Sequence, residues 1–343
     1  MNKNFPIIII ISIMLIPILI LASLRLGAVD ISFKDLIEII KNVVTGTESG
    51  QSQSKLIILF IRLPRIIGAI LVGASLSAAG ASLQGLFRNP MASPEILGIS
   101  AGGSLGAVLV INTGLIASGI AFLPISTSLF ALITAFLIYR IATYRGKTSL
   151  LFLVLTGLAL SSLMNGLVSL VLLFSREYEV NQFFLWTMGS LDSIQWHHVR
   201  ITAPILIPGM LFLFLLSGEL NILMFGEKSA HSLGMRVERT KRIILMLSAI
   251  LTGIAVSIAG TIGFVGLLVP HAVRFFTRGD NRMVVPLSAV VGGEFLLLCD
   301  TIGRFILAPF EIKVGIITAL IGAPYFLFLI LRYQKKGQDG IFI

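Results

Sequence analysis

A chain of 343 residues that is 56% hydrophobic and only 12% charged, with a mean hydropathy of +0.99, is no soluble globule, since ordinary globular chains are about 25% charged. Its length accommodates roughly ten membrane-crossing helices of about 20 residues each. The net charge of +10 suits lysines and arginines in cytoplasmic loops better than nucleic-acid binding, because no basic run is interleaved with aromatics, and the single cysteine, Cys299, excludes an internal disulfide framework.

From Met1 to Leu21 a lysine precedes an apolar stretch longer than the roughly 7–15 residues of a signal peptide core, with no A-x-A site after it. It reads as an uncleaved first span near 6–24. Residues 25–62 then place Leu36, Ile39, Ile40 and Val43 at helical spacing ahead of a polar stretch from Thr45 to Ser54, which predicts a short surface helix and a flexible turn. Further spans fall near 63–86, 94–112, 121–141, 149–173, 198–217, 242–261, 283–303 and 314–332. A tenth candidate, 262–276, contains Gly263, Gly266 and Pro270. At 1.5 Å per residue it covers about 22 Å, short of a hydrocarbon core of roughly 30 Å.

Charge decides between nine spans and ten. With ten, and the N-terminus inside, the inner segments hold Lys3, Arg88, Arg140, Arg145, Lys147, Lys228, Arg236, Arg239, Lys241, Arg242, Arg274, Arg278, Arg282, Arg332, Lys335 and Lys336, sixteen of the 26 basic residues. With nine, the last two basic clusters change sides. Ten is the better count, with a broken or tilted eighth helix.

Residues 69–90 and 249–270 repeat one another. Sliding by 180 pairs Ala69/Ala249, Ile70/Ile250, Leu71/Leu251, Gly73/Gly253, Ser77/Ser257, Ala79/Ala259, Gly80/Gly260 and Pro90/Pro270, with the two prolines expected beyond the helix ends. Small residues at four-residue intervals let helices approach closely in lipid. The copies fall on spans two and seven, which cross in opposite senses when ten spans are counted. The expected fold is therefore all-α, a single polytopic membrane domain over 1–343 with an inverted internal repeat, divided into halves of about 1–217 and 242–343 by an inner loop at 218–241. In that loop Glu227, Lys228 and Ser229 start a helical pattern and Gly234 stands where a C′ glycine would end it. A docking helix and a solvated linker both fit these residues.

Several polar groups invite a functional reading. Arg62 and Arg65 flank Leu63-Pro64 at the outer mouth of span two, and Arg304 stands at the outer end of span nine. They read either as bidentate seats for an external partner's carboxylates or as helix-end anchors, Asp300 and Arg304 being an i,i+4 pair. In Arg88-Asn89-Pro90-Met91-Ala92-Ser93-Pro94-Glu95 the prolines stop span two, and Ser93-Pro94 is expected to cap the next helix, on which Gly98, Gly102 and Gly106 form a smooth face. Ser161, Ser162 and Asn165 on span five suit a translocation wall or helix–helix hydrogen bonds. Glu294, mid-span beside Gly292 and Gly293, must face a cavity or a partner. Gly146-Lys147-Thr148 ends like a phosphate-binding loop, but Ile141 replaces the first glycine and no strand precedes it. His197-His198 lacks an acidic or cysteine partner at metal spacing and lies near Trp186 and Trp196, as in an interfacial aromatic belt. No nucleophile–base pair or H-E-x-x-H is present, so no enzyme is expected.

Together, Arg62-Leu63-Pro64-Arg65, Arg88-Asn89-Pro90, Gly98 and the run from Gly263 to His271 resemble the FecCD-type permeases, the membrane subunits of ABC importers for iron-siderophores, haem and vitamin B12. The similarity extends to Gly322-Ala323-Pro324-Tyr325. The resemblance implies a homo- or heterodimer of ten-helix permeases in the lipid of a prokaryotic cytoplasmic membrane, both termini cytoplasmic. It also implies two cytoplasmic ATP-binding subunits, which hold ATP and magnesium, and an extracytoplasmic substrate-binding protein. No cofactor, metal or nucleic acid is expected on this chain. By the same resemblance, Arg62, Arg65 and Arg304 receive glutamates of the binding protein. Glu227, Ser229, Ala230, Leu233 and Gly234 belong to the segment that inserts into the ATPases. Thr148 and Ser149, with span five, form the cytoplasmic gate. Arg88, Asn89, Pro90, Gly98, Gly266, Pro270 and His271 make up the structural motif, and Glu294 matches none. Iron-siderophore cargo is expected, with haem, cobalamin or a molybdate-like oxyanion as alternatives. A proton-coupled secondary transporter using Glu294 and a non-transporting scaffold are the readings from other classes.

Overall fold

The computed structural model describes residues 5–338 apart from 28, 30, 46–52, 96 and 120. Lys3 and most of the polar stretch expected between Thr45 and Ser54 lie outside the described residues. In chain order the elements are α1 (Phe5–Arg25), α2 (Phe33–Thr45), α3 (Gln53–Leu56), a π-helical segment (Ile57–Arg62), α4 (Leu63–Phe87), α5 (Ile99–Asn112), α6 (Leu115–Ser118) and α7 (Phe122–Ala142). The hairpin β1 (Thr143–Tyr144) and β2 (Lys147–Thr148) follows, then α8 (Leu150–Leu173), α9 (Glu177–Thr187), α10 (Trp196–Met224) and α11 (Glu227–Ser232). The last four are α12 (Val237–Ala259), α13 (Val265–Thr277), α14 (Asn281–Phe305) and α15 (Val314–Gln338). Seven described helices are long and apolar enough to cross a membrane, and three shorter apolar ones (Met14–Arg25, Ile99–Asn112 and Val265–Thr277) bring the bundle to ten.

Where elements depart from expectation, local chemistry gives the reason. The third span begins only at Ile99, because residues 93–95, 97 and 98 are not helical and Gly98 sits at φ +76° before the helix. Ser93 and Pro94 therefore do not cap it, and α5 is as short as α13. The loop expected at 218–241 contracts to 225–236, since α10 runs on to Met224 and α12 starts at Val237. Arg145 and Gly146, both at positive φ, join β1 to β2. This two-residue turn matches the right-handed twist of paired strands, and it is what the Gly146-Lys147-Thr148 run builds. The surface helix expected after span one is α2, with Leu36 and Ile39 buried. α9 was not foreseen.

Contact pairs fix helix directions. α4 and α10 run parallel: Trp196 Nε1 donates to the Leu59 carbonyl (2.7 Å), Ser75 lies 3.8 Å from the Met210 sulfur, and Gly85 adjoins Leu220. α10 and α12 run antiparallel, with Gly209 against Leu251 and Glu219 accepting from Thr240. The two copies of the repeat, on α4 and α12, are therefore opposed. Their small-residue stripes also have corresponding partners. A Cβ on Gly73 would lie 2.2 Å from the Gly292 carbonyl oxygen of α14, and one on Gly253 would lie 2.9 Å from Ala131 of α7. α4 packs on α14 as α12 packs on α7, the exchange expected of an inverted repeat. The correspondence ends after Ala79 and Ala259. Gly80 continues α4, whereas Gly260 at φ +69° closes α12, so Pro90 follows its helix while Pro270 lies inside α13. The matching proline beyond the helix is thus a feature of the first copy alone.

The bundle has two ends, named here for α2 and α11. α1 and α14 both point toward the α2 end, since Ser12 bonds Glu294 and Ser23 bonds Arg304. α15 starts at that end, where Gly315 N donates to the Gly189 carbonyl (3.1 Å). Both terminal helices accordingly have their chain-end sides toward α11. α12 and α14 are mostly buried, whereas α8 and α15 each leave an apolar face exposed, with Leu151, Leu158 and Leu173 uncovered on α8 and Leu320 and Leu327 on α15.

Candidate functional site

At the α11 end lies an open groove of about 1260 Å³ whose lining includes Arg88, Arg145, Lys147, Glu227, Lys228 and Arg239. α11 forms one wall. It closes as the sequence suggested: Gly234 at φ +81° lets its N–H reach the His231 carbonyl (2.9 Å) and Met235 N–H reach Ala230 (3.1 Å), the paired bonds of a Schellman ending. Ala230 is buried and anchors the helix, while Ser229 is exposed on the groove and Leu233 is exposed outside its lining. Glu227 turns inward to Lys241 (2.8 Å), whose side chain is only 1% exposed. Lys241 also donates to Glu238 and to the Thr148 carbonyl (both 3.0 Å). Glu238 in turn accepts from Thr148 N (3.0 Å) and Oγ1 (2.6 Å). Thr148 is thus brought to α11 and α12, and Ser149 caps α8, its Oγ accepting from Phe152 N. Neither Glu238 nor Lys241 stood out in the sequence, although their i,i+3 spacing marked them as one helix-face pair.

α8 carries polar groups on a helix otherwise made for lipid. Ser162, Asn165 and Ser169 are exposed at i, i+3 and i+7 along one face. Ser161 points elsewhere: its hydroxyl donates to the Gly157 carbonyl (2.7 Å) beside Gly98. A polar stripe at membrane depth faces water or a partner rather than lipid. Ser169 extends the stripe beyond what the sequence reading included.

The three arginines lie at the α2 end, at the helix ends expected for them, with their side chains turned inward. Arg62, Arg65 and Arg304 are 4%, 6% and 3% exposed, and their charge is met inside the chain. Arg62 donates to the carbonyls of Leu24, Arg25 and Val29. Arg65 grips Asp300 through Nε and Nη2 and reaches Glu311 through Nη1 (2.8 Å). Arg304 meets Asp300 (3.1 Å), the i,i+4 pair seen in the sequence, and Ser23. They staple α1, α4, α14 and the 306–313 loop rather than present exposed seats. Nearby, Asp192 pairs with Lys313. Burial alone would raise the Asp192 carboxyl, but hydrogen bonds from Lys313 and Ser190 outweigh it and hold the group below the usual carboxylate range.

The separate sequence motifs converge between these ends. Arg88, at φ 50°, ends α4, and Asn89 Oδ1 accepts from Met91 N (2.9 Å) to turn the chain into Pro90. Pro90, His271, Gly322 and Tyr325 line one small cavity, with the His271 and Tyr325 rings edge to face at 6.4 Å. Gly266 packs its carbonyl against Gly80 of α4, and Pro270 is buried in α13. Glu95, unremarked in the sequence beyond its place in the turn, accepts from the Phe264 backbone N–H where the two irregular segments meet. Glu294 lies elsewhere, in an apolar cavity of about 320 Å³ bounded by Ile16, Ile70, Met210 and Phe214. Its carboxyl meets Ser12, and Oε1 has no hydrogen-bond partner among the described residues. His197 and His198 touch each other, Nε2 to Nε2 at 3.1 Å, beside Trp196.

Known proteins share this architecture. The FecCD transport family matches residues 14–332. The hemin transport system permease HmuU of Yersinia pestis is 37% identical over 95% of both chains. The cobalamin import system permease BtuC of Halobacterium salinarum is 44% identical over 81% of this chain and 74% of its own. A solved inward-facing conformation of a metal-chelate type ABC transporter superposes with a TM-score of 0.84 at 32% identity, covering 96% of this chain and all of that one. Matched by the family from residue 14 to 332 and by these relatives along most of its length, the chain belongs to the FecCD transport family and is an ABC transporter permease.

Proposed function

We propose that the chain is half of an alternating-access import pore in a prokaryotic cytoplasmic membrane, paired with a second permease and driven by two ATP-binding subunits that hold the ATP and magnesium. The α11 end faces the cytoplasm and seats the ATPases in its basic groove. The α2 end faces outward and receives a cargo-laden binding protein, on a surface kept rigid by the buried arginine–carboxylate cluster. The exposed faces of α8 and α15 are covered by the second permease, leaving the Ser162–Asn165–Ser169 stripe along the path. The permease alters no bond in its cargo.

The observation that carries this reading is the pairing of an open basic groove with a hydrogen-bonded connection, through Thr148, to the start of the helix that bears the polar stripe. Relatives named for hemin, cobalamin and metal chelates point to a bulky metal complex as cargo, and we assign iron-siderophore chelates. Haem, cobalamin and an oxyanion such as molybdate are the alternatives, and binding-protein ligand selectivity separates them. Uptake by proteoliposomes is expected only when permease, ATPase, binding protein and ATP are all present. Uptake by the chain alone under an imposed proton gradient, abolished by Glu294→Gln, would replace this reading with that of a secondary transporter.

A further inference from the structure

We propose that Lys241 is a positioning residue that ties α11 to the start of α8, so that movement imposed on α11 in the groove is delivered to the helix bearing the polar stripe. The proposal deepens the reading of an ATP-driven permease and rests on it.

The geometry of one ammonium carries the argument. A lysine has three donors and no acceptor; Lys241 donates to Glu238 of α12 and to the Thr148 carbonyl of β2 (both 3.0 Å) and forms an ion pair with Glu227 of α11 (2.8 Å). Three separate pieces of chain thus converge on a single buried charge. Glu238 uses its other oxygen to take both the N–H and the hydroxyl of Thr148, and Thr143 Oγ1 stands 3.0 Å from that hydroxyl. The hairpin is thereby fastened to α12 at its last residue. The next residue, Ser149, donates from its N–H to the Ala142 carbonyl (3.2 Å) and opens α8. From the groove to α8 the route is therefore Glu227, Lys241, Thr148, Ser149, in charge-assisted bonds and one peptide step.

Burial and exposure along this route are graded. Lys241 is 1% exposed, while the Glu227 side chain is 44% exposed and reaches the groove. α11 itself has six residues and one buried side chain, Ala230, so little packing holds it to the bundle. The ion pair is the directional connection. A buried lysine with two carboxylates gives little net stability compared with apolar packing of equal volume, so fold stability alone is a poor reason for it. Placement of α11 relative to α8 is a sufficient one.

The test uses the complete complex of permease, ATP-binding subunits and binding protein in proteoliposomes, with iron-loaded siderophore as cargo. Its readout is cargo moved per ATP hydrolysed. Glu227→Gln and Lys241→Met are each expected to lower that ratio at least tenfold, the double variant no further, and Lys241→Arg to recover much of it. An unchanged ratio in Glu227→Gln overturns the proposal, as does a loss of uptake matched by an equal loss of hydrolysis. Should Lys241→Met fail to fold, Glu227→Gln, at a half-exposed position, decides alone. Absence of ATP-dependent uptake in the wild type overturns the permease reading itself. An active wild type with fully coupled variants overturns only the role of Lys241.

Discussion

Arg65 shows how a residue can be recognised from sequence while its partners stay hidden. Its position beside Pro64 at a helix entrance was legible, and so was the i,i+4 relation of Asp300 to Arg304. The bonds from Arg65 to Asp300 and Glu311 join residues more than two hundred positions apart, which no local spacing reveals. The result is a buried two-arginine, one-aspartate cluster in which each charge needs the others. Removing one partner leaves a buried charge short of its counter-ion in low dielectric, at a cost of about 3–5 kcal/mol. Arg65→Met is therefore expected to lower the melting temperature of the purified protein substantially, as followed by a thermal-shift assay in detergent. Asp300→Asn should do likewise. A variant as stable as wild type but deficient in binding-protein capture would restore the exposed docking role.

The elements were more legible than their ends. Apolar length placed the long spans within a few residues, and the turn chemistry of Gly234 placed the end of α11. The third span was drawn too long, because hydropathy does not see that Gly98 interrupts the helix at positive φ. The α8 stripe was half seen: Ser162 and Asn165 were picked out, but Ser161, chosen with them, turns toward Gly98 and is only partly exposed. The repeat gives a sharper element-scale prediction. Gly73 and Gly253 each hold a helix pair at a separation that admits no side chain, α4 on α14 and α12 on α7. Overpacking a core costs typically 1–3 kcal/mol, and here the clash is with backbone or a neighbouring Cα. Gly73→Val and Gly253→Val are each expected to destabilise by at least about that much, measured as loss of folded protein on heating in detergent. A neutral outcome at Gly253 alone would mean that the two halves are not packed alike.

At the scale of the whole molecule, the opposed copies and the α11 groove describe one device. Two oppositely threaded halves carry a polar face on α8; on the proposed reading the drive is applied at the α11 end by separate subunits, and Lys241 joins the two. Charge asymmetry in the sequence pointed to the α11 end as the proposed cytoplasmic one, but the link between groove and α8 required three segments to meet, and only the fold brings them together. The most direct test is thiol accessibility along α8 in the assembled complex. The background is low, because the native Cys299 is fully buried. Single cysteines at Ser162, Asn165 and Ser169 are expected to react with a membrane-impermeant maleimide at least tenfold faster than cysteines at Leu163, Leu167 and Leu170. Their reactivity should change when a non-hydrolysable ATP analogue is added. Uniformly slow labelling of all six positions, indifferent to nucleotide, would contradict the account.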